Sequence, residues 1–372
     1  MASTKLTALP SATSLAGSDL IYVVEGGVSK SITKDVFISQ LTLEKRTSDY
    51  AANATNSGRV WTRTDTGEVK TIAERITSPS GSWSAGGALS AAARYQAAFG
   101  LQGDAVSAGG AEAVTQSINT TQEYNGTSWS AGNNMAAGRD QAAGSSQTKS
   151  TGFLAGGRNS SNTDLASSEE FDGTNYTAGG NLSTARYESP SVGDTSDAKI
   201  IGGVSGASTF LSSVEDYDGT NWSAGTAATA VVAYSKGSAG TTSDCIVLRG
   251  LIGSGSYSTG TYEWNGTSWS AGGAITNAYS WNYVCGPTRA TGFYAGGYDG
   301  TTRAVAESYD GANWSAEASL SQQRYSVGGA GTQTAATFFG GNDSGGGGLL
   351  SSTEEFTATG TTVYELKTFT LT

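Results

Sequence analysis

The chain has 372 residues, with 21 Lys and Arg against 32 Asp and Glu and a formal charge of −11. An acidic surface repels phosphate backbones and anionic lipid, so nucleic acid and membrane surfaces are poor partners. There is no histidine, which removes the commonest general base and the commonest zinc or copper ligand, and no metal or cofactor is expected.

No apolar run approaches the roughly 18 residues a spanning helix needs, so no membrane insertion is expected. The amino-terminal residues lack the charged-then-apolar pattern of a secretory signal. Cys245 and Cys285 are the only cysteines, and both lie in strand-like apolar text that favours buried free thiols over a bridge. Gly, Ser, Thr and Ala dominate, but aromatic anchors recur too regularly for a disordered chain.

Residues 1–45 read as strand D-L-I-Y-V-V-E, a Gly26-Gly27 turn, strand V-S-K-S-I, and a short helix K-D-V-F-I-S-Q-L capped by Thr33. This run resembles the amino-terminal segment of tailed-phage fibre and other virion proteins. The resemblance implies a segment that attaches a fibre to the particle or helps it trimerise; a small capping hairpin is the plainer alternative. Residues 46–80 hold a polar linker and then a hairpin in which V-W-T-R-T and E-V-K-T-I are joined through Asp65-Thr66-Gly67.

From residue 81 to 372 one phrase repeats. It ends in Trp83, Trp129, Tyr176, Trp222, Trp269 and Trp314, at spacings of 46, 47, 46, 47 and 45 residues, with a degraded seventh copy near Val363 or Tyr364. A fixed period in this range marks an array of small β units, none able to bury its apolar face alone. Each copy holds a strand closing on a double glycine (Gly109-Gly110, Gly156-Gly157, Gly202-Gly203, Gly296-Gly297, Gly340-Gly341; only Gly250 in the fourth). Then comes a variable loop, an aromatic, and Asn-Gly or Asp-Gly before the ladder aromatic. Those pairs (Asn125-Gly126, Asp172-Gly173, Asp218-Gly219, Asn265-Gly266, Asp310-Gly311) predict two-residue type I′ hairpins. A four-stranded unit of this length, repeated six times, is a propeller blade.

An Arg opening the first strand, the double Gly, the turn aromatic and the Trp together resemble the kelch family. The resemblance implies an all-β, six-bladed kelch-like propeller over 81–372, seven-bladed if residues 59–83 add strands. Either Trp83 or the tail V-Y-E-L-K-T-F-T-L-T could supply the closing outer strand. N-x-S/T triplets such as Asn125-Gly-Thr are by-products of turn chemistry, because Asp alternates with Asn there.

Candidate ligand-binding residues are few. Arg94, Arg139, Arg186 and Arg324 fall at matching repeat positions, with Val232 and Tyr279 in the fourth and fifth copies. A ring of guanidinium groups can clamp a carboxylate or sulfate, but a repeat-encoded Arg–Glu brace explains them better. Copper-radical oxidases on such propellers need histidine ligands, and the sialidase Asp-box spaces its residues differently from D-G-T-N-W. Glu123, Glu170, Asp216, Glu263, Glu307 and Glu355 precede the turn aromatics in register and also read as structural, so no catalytic residue is assigned. Trp83, Trp129, Tyr176, Trp222, Trp269 and Trp314 read as a blade-core ladder. Tyr279, Trp281 and Tyr283 replace small residues used elsewhere; their spacing puts them on one strand face, where core filling competes with sugar contact.

The sequence therefore points to a non-enzymatic phage virion protein, a tail fibre or spike. Residues 1–45 bind other virion proteins, the assembly is a homo-oligomer with a trimer favoured, and the loops near 111–119, 158–166, 204–212, 298–304 and 342–350 face a host-surface glycan or protein. A virion decoration or connector protein is the alternative, and a glycan-cleaving enzyme or a host-encoded kelch scaffold is less favoured.

Overall fold

The computed structural model describes residues 20–25, 28–33, 44–48, 60–66, 69–76, 81–145, 147–253, 255–345, 348–358 and 362–369. The chain divides into two units, Ser80–Thr359 and Met1–Pro79 with Gly360–Thr372.

The larger unit is a six-bladed β-propeller, each blade built on four antiparallel strands, with a short fifth strand, Lys236–Gly237, added in parallel to the sheet of blade 5. Blade 1 consists of Ala97–Leu101, Asp104–Ala108, Thr121–Tyr124 and Trp129–Ala131. Blade 2 consists of Ala143–Ser145, Gly152–Ala155, Ser168–Phe171 and Tyr176–Ala178. Blade 3 consists of Ser191–Gly193, Ala198–Ile201, Val214–Tyr217 and Trp222–Ala224. Blade 4 consists of Ala239–Thr241, Asp244–Leu248, Thr261–Trp264 and Trp269–Ala271. Blade 5 consists of Tyr283–Cys285, Phe293–Ala295, Ala306–Tyr309 and Trp314–Ala316.

Blade 6 takes its first three strands, Gly328–Thr332, Ala335–Phe339 and Thr353–Ala358, from the end of the array. Its outer strand, Gly81–Gly86, comes from the beginning, with Trp83 opposite Phe356. The ring is thus closed by Trp83 and its neighbours. The tail instead forms Thr362–Phe369, which pairs with Val69–Ile76 in the smaller unit, so the propeller ends earlier than the expected residue 372. Among the described residues no seventh blade forms: Val60–Arg63 and Val69–Ile76 make the expected hairpin, in a sheet with Glu44–Arg46 and the tail strand. Leu20–Glu25 and Val28–Thr33 pair as a second hairpin. The expected helix over 34–41 and most of the linker lie outside the described residues.

The hairpins between third and fourth strands are not two-residue type I′ turns. Only the glycine of each pair has positive φ, 85° at Gly126 and 98° at Gly173, whereas type I′ needs it at both central residues. Four residues connect the strands, and the Asn or Asp side chain organises them. Asn125 Oδ1 accepts from the backbone N–H of Thr127 (2.9 Å) and Ser128 (2.9 Å), and Asp172 Oδ1 does the same for Thr174 and Asn175. One acceptor oxygen is all this Asx turn requires, which is why Asn and Asp interchange.

The ladder aromatics open the outer strands, except Trp83, the third residue of its strand, and each stands directly opposite its turn aromatic: Trp129 by Tyr124 (centroids 4.9 Å apart), Trp222 by Tyr217 (4.9 Å), Trp314 by Tyr309 (5.0 Å). Except at Trp314, whose Nε1 is buried without a partner, their polar atoms reach back to the preceding blade. Trp129 Nε1 donates to Thr353 Oγ1, Trp222 Nε1 to Ser168 Oγ, and Tyr176 Oη accepts from Thr121 Oγ1. Where the matching position is apolar, at Val214 and Ala306, the indole takes a backbone carbonyl instead: Trp269 bonds Thr226 O and Trp83 bonds Ala318 O. Each ring is therefore a wedge between blades, closing interfaces such as that of Phe153, Ile200, Tyr217 and Trp222. Cys245 and Cys285 are buried free thiols, pushed up to about 12 by burial.

Candidate functional site: a left-handed ring and a buried charge cluster

The buried arginines brace blades. Arg139 Nη2 meets Glu169 at 2.8 Å, Arg186 meets Glu215 at 2.6 Å and Arg324 meets Glu354 at 2.7 Å. Each guanidinium also donates through Nη1 to two carbonyls, Gly202 and Ser213 in the case of Arg186, whose Nε reaches a third, Thr184 O. Each glutamate also accepts backbone N–H groups of the incoming link, as Glu215 does from Ser183 and Thr184. All three arginines are fully buried, so they form no anion clamp.

Two register expectations need correction. The bracing acids stand two residues before the turn aromatic, not one, and Glu307 belongs to this row with Glu169, Glu215 and Glu354. The row that includes Glu123, Glu170, Asp216, Glu263 and Glu355 does other work: the Tyr124 hydroxyl donates to Glu355 of the preceding blade (2.9 Å), and Tyr217 and Tyr309 do likewise to Glu170 and Glu263. Glu123 pairs with Lys149. Arg94 is also displaced by one. Its backbone bridges Ala111 just as Asp140 bridges Arg158 and Tyr325 bridges Asn342, so the residue equivalent to Arg139 is Ala93. Blade 1 then lacks both brace members, having Ala93 and Gln122, and blade 4 lacks both, having Val232 and Tyr262.

Two residues beyond this row lies the feature that organises the axis. Tyr95, Gln141, Glu188, Tyr234, Trp281 and Ser326 all adopt left-handed backbone, with φ between 52° and 63°. Their peptides close a circle. Tyr95 N–H donates to Ser326 O (3.0 Å), Gln141 to Tyr95 (3.0 Å), Glu188 to Gln141 (2.9 Å), Tyr234 to Glu188 (3.1 Å), Trp281 to Tyr234, and Ser326 to Trp281 (2.7 Å). Non-glycine residues pay roughly 1 kcal/mol or more for this conformation, and the cyclic hydrogen bonds, one per blade, are what hold it. The double glycines serve the same end of the sheets. A Cβ on Gly110 would come within 2.6 Å of Arg94 O, so the strand can pass the incoming link only without one.

Trp281 therefore sits at a kink, and Tyr279, Trp281 and Tyr283 do not share a strand face. Tyr279 fills the arginine position and is buried. Tyr283, the only one of the three in a strand, plugs the axis, its hydroxyl donating to Ala98 O (2.5 Å) and Gly144 O (3.2 Å) of blades 1 and 2. Trp281 is half-buried at the loop-bearing end, within an aromatic group of Tyr234 (5.1 Å), Tyr298 (5.7 Å) and Tyr325 (6.1 Å). Phe210, from the loop of blade 3, packs on Tyr234, and Arg158 stacks 3.5 Å over Tyr187 while paired to Asp164.

Inside the ring, charges from separate blades converge. Lys236 occupies the same strand register as Tyr283, and its Nζ reaches Gln96 O of blade 1 at 3.4 Å. Glu188 of blade 3 is fully buried, and neither carboxylate oxygen has a hydrogen-bond partner. Asp140 Oδ1, Gln96 Oε1 and Asn282 Nδ2 are likewise buried and unpartnered. Burial pushes Glu188 up to about 7, raises Asp140 and lowers Lys236, each moderated by the opposite charges nearby.

A cavity of about 350 Å³ opens at the opposite end, among the turns joining first and second strands. Its acids are already engaged: Asp197 accepts from Thr242, and Asp194 from Ser196. Among the described residues no group of three acidic or cysteine side chains could hold a metal. No described helix is long and apolar enough to cross a membrane.

No protein-family model matches the sequence, and no curated protein matches it. Among solved structures the chain is similar to that of YjhT, with a TM-score of 0.62 and 12% identity over 75% of this chain and 99% of that one. At that identity the likeness is one of fold: both are β-propellers.

Proposed function

We propose that this chain is a non-enzymatic component of a phage virion, a tail fibre or spike whose kelch-like propeller recognises a glycan on the host surface. Residues 1–45 would attach it to other virion proteins, within a homo-oligomer for which three copies are favoured. The observation that carries the recognition half is the half-buried aromatic group of Trp281, Tyr234, Tyr298 and Tyr325 at the loop-bearing end of the axis. Sugar rings stack their C–H faces on such aromatics, and polar loops rich in Gly, Ser, Thr and Asn supply adaptable hydrogen bonds around them. The attachment half is supported by the resemblance of the amino-terminal run to virion proteins, and the kelch-like reading by the double glycines, turn aromatics and ladder tryptophans.

The test is adsorption. Purified full-length protein should bind host cells or an extracted envelope polysaccharide, and Trp281→Ala should weaken that binding while keeping the wild-type melting curve. A particle map placing the chain at a distal tip is expected. A chain wedged between capsid or tail subunits, or no binding to any envelope preparation, would overturn the reading.

A further inference from the structure

We propose that the hairpins between third and fourth strands in blades 1 and 4 are modification sites. There Asn125 and Asn265 convert spontaneously to aspartate, through attack by the following glycine nitrogen, and the propeller retains the product. A Cβ on Gly126 would lie 3.4 Å from Gly103, in the turn joining first and second strands. The sites are therefore at the end away from the aromatic group, and the inference does not depend on the recognition reading.

Of the five hairpin pairs, two carry asparagine and three carry aspartate. Asn125 and Asn265 are both exposed, so the side-chain amide that must depart stands in solvent. The attacking group is the backbone nitrogen of the next residue. Glycine has no Cβ to crowd that nitrogen. The N–H groups of Gly126 and Gly266 also donate to no described residue, so nothing ties the nucleophile down.

The chemistry needs only water. The Gly126 nitrogen bonds to Asn125 Cγ, the Cγ–Nδ2 bond breaks, and the side-chain nitrogen leaves as ammonia, taking the glycine amide proton. The resulting five-membered imide then adds one water. Opening at Cγ gives aspartate; opening at the main-chain carbonyl gives isoaspartate, whose backbone runs through the former side chain. Each conversion adds one negative charge to a chain already at −11.

The Asx turn restrains the reaction. Asn125 Oδ1 accepts from Thr127 and Ser128 N–H, and Asn265 Oδ1 accepts from Thr267 (3.0 Å) and Ser268 (2.8 Å). The side-chain amide must turn before Cγ can meet the glycine nitrogen, and both bonds break when it does. Two such bonds together hold an opening equilibrium back by about ten- to a hundredfold. The same turn selects the product. Asp218 Oδ1 accepts from Thr220 (2.9 Å) and Asn221 (2.7 Å), and Asp310 Oδ1 from Ala312 (2.9 Å) and Asn313 (2.7 Å). Aspartate at 125 or 265 re-forms that arrangement, whereas isoaspartate lengthens the backbone by one carbon and cannot.

The experiment holds the full-length protein at physiological temperature in mildly alkaline buffer, native or in urea. Peptide mass spectrometry follows the mass gain of amide-to-acid conversion, with chromatography separating aspartate from isoaspartate. Expected is conversion at Asn125 and Asn265 in both samples, about ten- to a hundredfold slower in the native one. Asn159 is the internal control. Its Oδ1 accepts from Ser161 (3.0 Å) and Thr163 (3.0 Å) in the same manner, but Ser160 follows it, so it should stay asparagine in the native sample. The double variant Asn125→Asp, Asn265→Asp should keep the wild-type thermal transition. Native conversion as fast as in urea, none at either pair in the native protein, or Asn159 converting alongside them would overturn the sites. A lowered or lost transition in the double variant would overturn retention of the product.

Discussion

Replacing Arg186 tests the blade-brace argument most directly. The side chain is fully buried, and its guanidinium bonds Glu215 at 2.6 Å, Gly202 O at 2.9 Å and Ser213 O at 3.1 Å. Arg186→Ala leaves a buried carboxylate with only the Ser183 and Thr184 N–H groups, and strips one donor from each carbonyl. The Gly202 and Ser213 carbonyls keep another donor, from Ser189 Oγ and Gly202 N–H, and Thr184 O loses its 3.2 Å bond from Nε, so the uncompensated charge dominates the loss. Breaking one half of a buried pair costs about 3–5 kcal/mol, and that is the expected drop in urea denaturation followed by tryptophan fluorescence. Blade 1 supplies the control, because it folds with Ala93 and Gln122 at the equivalent places. Arg186→Ala with Glu215→Gln transplants that pair, removes the stranded charge, and should recover more than half of the loss. A single variant losing under about 1 kcal/mol, as an exposed pair would, or a double variant no better than the single, would refute the reasoning.

Trp222→Ala should cost about 3–5 kcal/mol, since the indole is wedged on Tyr217 and Phe153 and bonds Ser168; a thermal transition unchanged by it would discredit the wedge. Glu188 gives a pH signature. Its carboxyl is raised from the ordinary 4.5 to about 7 by burial and by the neighbouring Asp140 charge, against Lys236 and Arg158, so the native state binds the proton more tightly than the unfolded chain. Its stabilising contribution is full below about pH 4.5 and is lost as pH climbs to about 7, by up to ~1.4 kcal/mol per unit. Glu188→Gln should flatten that slope relative to wild type, and parallel stability–pH profiles would refute it. A fragment of residues 80–359 should melt cooperatively, whereas one of residues 88–359 loses the strand that closes blade 6 and should melt far lower; equal transitions would show that ring closure contributes nothing.

Much of the fold was legible because its signals are local. Asn125 acts within three residues of itself through an Asx turn, and Trp129 and Gly110, whose partners lie farther along the chain, recur at the same interval as the turn. The site was less legible. Arg94 reads as a member of the arginine row because it stands beside Ala93, and only strand pairing reveals the one-residue offset. Tyr279, Trp281 and Tyr283 read as one face because alternation assumes an unbroken strand, and the left-handed turn at Trp281 breaks it. The ring residues carry no shared chemistry, being Tyr, Gln, Glu, Tyr, Trp and Ser, yet they repeat at the intervals of the ladder itself. Aligning the copies on that spacing would have brought them together.

The amino-acid order by itself determined the repeating four-stranded unit, the ladder of interblade aromatics and the lack of histidine chemistry, because period and composition are properties of the chain. Tertiary structure alone decided that Gly81–Gly86 completes blade 6, that the tail strand pairs elsewhere, and that Asp140, Glu188 and Lys236 face one another. Those outcomes depend on closure around an axis, which brings together groups separated by whole blades, and no interval along the chain encodes that distance.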